Sequence, residues 1–203
     1  MSDYQFKDQL EKFSYSLGLT ISSNLIQSGI EKIDSLKFLA GFQDTYAENN
    51  PKISLSEANQ MIQEYMLSQN EEEALKNFEE GLLFLSNNLH NEGVVETESG
   101  LQYKILKNGY GKSPGINDMV KCHYHGVLLD GRVFDSSVER RKPAVFLVKA
   151  VVRGWIEAFL LMTEGAKWRL FIPPDLAYGE DGSGGLVGPI ATLIIDVELL
   201  EIV

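Results

Sequence analysis

Cysteine is nearly absent: Cys122 stands alone among 203 residues. That excludes an intrachain disulfide and any metal site built from several cysteines. Its expected place is a strand, as a small buried hydrophobe. Long apolar runs are missing as well. None approaches the ~20 residues that span a bilayer. The first seven residues, Met-Ser-Asp-Tyr-Gln-Phe-Lys, lack the basic start and apolar stretch of a secretory signal. The expected compartment is therefore the cytoplasm, or the periplasm or exterior if a signal segment has been removed. Arginine is missing from residues 1–96, which hold 6 Lys against 16 Asp/Glu, a net −10. Residues 97–203 hold 12 Lys/Arg and 13 Asp/Glu, a net −1. An acidic half beside a near-neutral one argues against nucleic acid and anionic membrane as partners. No third ligand accompanies His123 and His125, so no metal is expected. Asp135, Asp175 and Asp181 have no evident partner for acid–base work, and no phosphate-binding loop calls for a cofactor.

What is present is an ordinary globular balance, 44% apolar and 23% charged. The length suits one large domain or two small ones. The first half reads as helices. Phe6, Leu10, Phe13, Leu17 and Ile21 recur at spacings of three and four, an amphipathic stripe over 6–27 that Gly29 ends. Asp34 is a good N-cap for a second helix carrying Leu36, Leu39, Ala40 and Phe42, stopped at Asn49-Asn50-Pro51. A capping box, Ser54-Leu55-Ser56-Glu57, opens a third helix that nothing breaks before about residue 90. Such a helix is roughly 50 Å long at 1.5 Å per residue. Its stretch 68–73 is polar all round, as in a helix crossing solvent between packed ends. Two short helices with large apolar side chains make a poor independent core, and pairing with a second copy is the commonest remedy.

The second half switches to period two. Residues 101–106 alternate, and 120–125 put Val120, Cys122 and Tyr124 on one face, with His123 and His125 on the other, at the surface. Asp130-Gly131 marks a hairpin turn. Residues 144–148, 168–172 and 191–202 read as further strands, and 154–162 as a short helix with Trp155, Ala158, Phe159 and Met162 on one side. The expected class is α+β: a curved antiparallel sheet wrapped on a short helix. The expected divisions are a helical domain at 1–53, a long connecting helix at 54–91 and a sheet domain at 92–203.

Five stretches of the second half carry a resemblance: His-Tyr-His-Gly at 123–126, Asp-Gly-Arg-Val-Phe-Asp-Ser-Ser at 130–137, Arg-Gly-Trp-Ile-Glu-Ala at 153–158, Leu-Ala-Tyr-Gly at 176–179 and Ala-Thr-Leu-Ile-Ile-Asp-Val-Glu-Leu-Leu at 191–200. In order and spacing they resemble the FKBP family of peptidyl-prolyl cis-trans isomerases, over roughly residues 100–203. The first half, with Tyr-Ser-Leu-Gly at 15–18 and the long helix, resembles the dimerisation domain of the family's macrophage-infectivity-potentiator-like branch.

The resemblance implies a proline pocket lined by Tyr124, Phe134, Asp135, Arg140, Phe146, Val151, Val152, Trp155, Tyr178 and Ile195. Trp155 would be its floor. The Val152 amide and the Tyr178 hydroxyl would meet substrate carbonyls, and Asp135 would be held by Tyr124 and Arg140. Ala144 and Ile195 stand where small single-domain members often have aromatics. The implied partners are proline-containing peptides, partly folded proteins, a second copy through residues 1–53, and rapamycin-type inhibitors. The implied activity is non-covalent isomerisation of X-Pro bonds, with a mainly chaperone role for unfolded chains as the alternative.

Overall fold

A computed structural model describes residues 5–28, 30, 32–47 and 51–203. The stop signals Gly29 and Asn49-Asn50 lie outside these. The chain divides into two compact units, residues 1–66 with 184–186, and residues 67–183 with 187–203.

In the first unit, α1 (Gln9–Gln27) starts at Asp8, whose carboxylate accepts from the Glu11 amide at 2.8 Å. Helix α2 (Ser35–Tyr46) starts at Asp34, which accepts from the amides of Leu36 and Lys37. Both caps satisfy amides that a helix start leaves free. The apolar stripe finds little to cover it within one chain. Leu10 is 70% exposed and Phe13 62%, and no residue of α2 is buried. Helix α3 (Leu55–Asn88) opens where the Ser54 hydroxyl accepts from the Glu57 amide at 3.1 Å.

The second unit takes up α3 from residue 67 and adds the sheet. Its strands are β1 (Val94–Glu96), β2 (Gln102–Lys107), β3 (Met119–Leu128), β4 (Val133–Ser136), β5 (Ala144–Leu147), β6 (Lys167–Ile172) and β7 (Leu193–Ile202), with α4 (Arg153–Leu161) between β5 and β6. Every pairing is antiparallel, in the order β1-β2-β6-β7-β3-β4, and β5 pairs β3 further along that strand. Burial alternates along β3 and β7. Their inward residues Val120, Cys122, Tyr124, Ile195 and Val197 form one core with Trp155, Ala158, Phe159 and Met162 of the α4 region. A methyl at Gly154 would lie 2.6 Å from the Ile172 side chain, so the glycine lets the start of α4 approach β6 closely. The α+β class and the single short helix on an antiparallel sheet match the expectation. Among the described residues, no helix is long and apolar enough to cross a membrane.

Two details differ from the expectation. Residues 144–148 do not form one strand: β5 ends at Leu147, and Val148–Ala150 make a 3-10 turn. Strand β1 has three residues, too few to show a period. The end of α3 docks on the sheet of its own unit, in keeping with a helix whose ends are packed. The Asn77 amide donates to the Pro189 carbonyl at 2.8 Å, Phe84 meets Phe171 at 5.8 Å between ring centres, and Asn88 is buried. Asn77, Gly81, Phe84 and Asn88 lie on one helical face. Three of the four are polar or lack a side chain, so an apolar count overlooks the stripe.

Candidate active site

Tyr124 points inward from β3, and Phe146 and Trp155 close around it. Ring centres lie 5.8 Å apart for Tyr124–Phe146, 5.1 Å for Tyr124–Trp155 and 5.5 Å for Phe146–Trp155, the last two edge-to-face. Such tilted packing is the favourable geometry for aromatic pairs. Trp155 is 6% exposed and packs on Phe159 beneath it. Phe134, Val151 and Val152 are partly buried against the same cluster. A methyl at Gly126 would come within 2.5 Å of the Phe134 ring, so that ring lies over bare β3 backbone. Ile195 sits cross-strand from Gly126 and Leu170 and is 3% exposed. It belongs to the same buried core cluster as Tyr124 and Trp155. Ala144 lies opposite Cys122, away from the Gly126 end of β3.

One polar cluster edges the box. The Tyr124 hydroxyl donates to Asp135 Oδ2 at 2.5 Å. Arg140 donates from Nη1 to Asp135 Oδ1 and from Nη2 to the Tyr124 hydroxyl, the latter at 2.7 Å. Its guanidinium also lies 5.6 Å from the centre of the Tyr124 ring, a cation–π distance. Burial, then the bond to Asp135, pushes the Tyr124 hydroxyl up to about 12. Burial alone would raise Asp135, but the bonds from Tyr124 and Arg140, with the Arg140 charge, outweigh it and hold the carboxyl below its ordinary range. The result is an ionised carboxylate whose charge is met on both oxygens.

Tyr178 is 38% exposed on the loop after β6. Burial and then the Asp135 charge raise its hydroxyl, against a hydrogen bond from the Ser183 side chain. It thus shares the field of the Asp135 cluster while its phenol stays open to solvent. Val152 caps α4 with extended backbone. Among the described residues, no protein group accepts from its amide. The indole Nε1 of Trp155 is also without a partner. Of the ten residues expected at the pocket, Tyr124, Phe146 and Trp155 pack on one another, Asp135 and Arg140 bond to Tyr124, Phe134, Val151, Val152 and Ile195 belong to or pack against the same core cluster, and Tyr178 feels the Asp135 charge.

The sequence reading missed two serines. Ser136 and Ser137 follow Asp135 and engage the two histidines: His125 Nδ1 is 3.0 Å from the Ser136 hydroxyl, and His123 Nδ1 is 3.1 Å from the Ser137 hydroxyl. Both histidines are half-buried instead of simply surface residues. The available signal was a Ser-Ser pair leaving a strand, where hydroxyls often bond to backbone. Among the described residues, no group of three or more potential ligands could hold a metal. The arrangement sets hydrogen-bonding groups beside an apolar aromatic cluster, and the two serines that meet the histidines are themselves buried, Ser136 3% and Ser137 0% exposed.

Comparison with known proteins shows the family. Residues 111–200 match the profile of the FKBP-type peptidyl-prolyl cis-trans isomerase domain, and residues 10–105 match the domain amino terminal to FKBP-type peptidyl-prolyl isomerase. The chain is 41% identical over 193 residues to the FKBP-type 22 kDa peptidyl-prolyl cis-trans isomerase of Escherichia coli, covering 93% of each. It is 38% identical to the peptidyl-prolyl cis-trans isomerase Mip of Coxiella burnetii, over 97% of this chain and 88% of that one. Its fold is similar to the crystal structure of FkpA from Escherichia coli, with a TM-score of 0.67, 33% identity and 98% of each chain covered. The chain belongs to the FKBP-type peptidyl-prolyl cis-trans isomerases.

Proposed function

We propose that the protein accelerates cis–trans isomerisation of X-Pro bonds in folding chains, and that the Tyr124, Phe146 and Trp155 box holds the proline ring. An X-Pro bond has little trans preference but a rotation barrier of ~18–20 kcal/mol, because turning it breaks amide resonance. The twisted amide is less dipolar than the planar one. An apolar, water-poor box therefore favours the twisted state relative to the planar one. In this reading the free Val152 amide and the Tyr178 hydroxyl donate to the carbonyls on either side of the turning bond. Asp135, neutralised by Tyr124 and Arg140, presents an oriented acceptor edge without an unpaired charge. No proton leaves and no covalent bond forms.

The observation that carries this reading is the closed aromatic triad next to the Tyr124–Asp135–Arg140 cluster. A protease-coupled assay on a short X-Pro peptide tests it. We expect a rate well above the uncatalysed one, and loss of that rate in Asp135→Ala and Tyr178→Phe. Unchanged rates in both variants would rule the assignment out. A rapamycin-type macrolide is expected to compete for the same box, which a peptide-competition titration reads directly.

We further propose a homodimer through residues 1–53, supported by the uncovered apolar side chains of α1 and α2. Two pockets in one particle raise the effective concentration of active sites around a bound client. Sedimentation at micromolar concentration tests this: a monomer would overturn it. The same exposed surfaces favour the second reading, a chaperone that holds unfolded chains. Suppression of aggregation by an isomerase-dead variant would support that role. Fractionation of its native cells reads which compartment the protein occupies.

A further inference from the structure

We propose that Ser137 is a positioning residue for the isomerase pocket: its buried hydroxyl, held between the Tyr124 peptide and the His123 imidazole, sets the spacing across which Tyr124 and Asp135 meet. The inference rests on the proposed roles of those two residues.

Strand β4 ends at Ser136, so Ser137 is the first residue beyond the ladder. Its amide still donates to the Tyr124 carbonyl at 3.0 Å, which is half of an ordinary rung. The other half would run from the Tyr124 amide to the Ser137 carbonyl. Instead, the Ser137 hydroxyl accepts from the Tyr124 amide at 2.8 Å. That substitution frees the Ser137 carbonyl, which accepts from the Lys142 amide at 3.2 Å and closes the turn 137–142. The hydroxyl thus takes the Tyr124 amide while the carbonyl serves the turn. The side chain is 0% exposed, so water does not substitute for it. The hydroxyl proton faces the Tyr124 carbonyl at 3.2 Å and His123 Nδ1 at 3.1 Å.

The turn matters because it carries Arg140. Both groups that meet the Tyr124 hydroxyl, Asp135 and Arg140, come from the segment pinned to the Tyr124 backbone by Ser137. Asp135 lies two residues before the pin and Arg140 three residues after it. Releasing the pin leaves the Tyr124 amide buried without an acceptor and loosens both arms of the cluster together. A turn serine with only a local structural role would lower stability and leave the chemistry of the folded molecules unchanged.

The test is a series at Ser137 in the full chain, with kcat/KM measured on an X-Pro peptide and corrected for the folded fraction. Ser137→Thr keeps the hydroxyl, Ser137→Cys offers a weak acceptor and Ser137→Ala offers none. We expect Thr to retain near-wild-type activity, Cys to lose part of it and Ala to lose about tenfold. If Ala does not fold, the Thr and Cys variants still rank the acceptor. The same changes in a Tyr124→Phe background are expected to cost under about twofold, because Ser137 acts through that hydroxyl. Wild-type kcat/KM in folded Ser137→Cys and Ser137→Ala would overturn the proposal, as would losses that simply add to that of Tyr124→Phe. A silent Tyr124→Phe would instead remove the site reading, and this proposal with it.

Discussion

The Asn88 side-chain amide donates to the Gln102 side-chain oxygen at 2.9 Å, and both residues are buried. Gln102 in turn donates to the Leu85 carbonyl and to Glu96. A fully partnered amide network in a low-polarity setting is stiff, so the last turns of α3 are structurally part of the isomerase unit. A fragment starting at residue 92 loses the Asn88 and Leu85 bonds of this network and the Phe84–Phe171 contact. It is expected to be less stable than a fragment starting at residue 67 by about 2–4 kcal/mol. Urea unfolding of the two fragments checks this. Equal midpoints and slopes would show that the helix adds nothing.

The cluster of Tyr124, Asp135 and Arg140 predicts a graded loss of activity. Tyr124→Phe removes one donor to the carboxylate and one acceptor from Arg140. Asp135→Asn removes the charge that both partners meet. Each is expected to lower kcat/KM by about tenfold, equivalent to ~1.4 kcal/mol, with Asp135→Asn the larger. Circular dichroism should show the fold retained.

The pH dependence follows from two opposite shifts. Asp135 is lower in the folded chain than its free value of about 4, so its stabilising effect is present above pH ~4 and fades as pH falls through the lowered value. Tyr124 is raised to about 12 from about 10, so its effect is present below pH ~10 and fades as pH rises through 12. Neither group changes charge between about pH 5 and 9. The ratio of wild-type to Asp135→Asn activity should be flat over that window. Thermal melts should show that Asp135→Asn flattens the acid limb of stability and Tyr124→Phe the alkaline limb.

Gly81 offers a test of the docked helix. An alanine there would ordinarily gain about 1 kcal/mol of helix propensity. Here its methyl would sit 2.5 Å from the Thr192 hydroxyl oxygen, a buried group with no hydrogen-bond partner. The clash outweighs propensity, and Gly81→Ala is expected to destabilise by about 1–2 kcal/mol. Adding Thr192→Ala removes both the obstacle and the unsatisfied hydroxyl. The double variant should then be more stable than Gly81→Ala alone in denaturant unfolding.

Residues that act through side-chain pattern were legible in the sequence. Alternation placed Val120, Cys122 and Tyr124 on the inner face of β3, and burial pushes the Cys122 thiol up to about 12, as suits an inert core residue. The spacing of Trp155, Ala158 and Phe159 gave the buried face of α4. Of the aromatic residues of the candidate site, Tyr124, Phe134, Trp155 and Tyr178 lie within the five motifs and Phe146 lies outside them. Residues that act through backbone were not. Asn77, Gly81 and Asn88 dock α3 with amide bonds and a missing side chain, which no apolar period reports. Ser137 bonds to the main chain of a residue 13 positions away, a pairing that exists only once β3 and β4 are in register.

Catalysis in this box is tested most directly by how fast a short X-Pro peptide exchanges between its cis and trans forms, read by exchange NMR with the wild-type chain and with Trp155→Leu. The wild-type chain should speed exchange far beyond the uncatalysed tens of seconds. Trp155→Leu, apolar but unable to floor the box, should lose at least about tenfold of that acceleration while keeping its sheet signals. Wild-type acceleration in Trp155→Leu, or no acceleration by the wild-type chain, would contradict catalysis in this box.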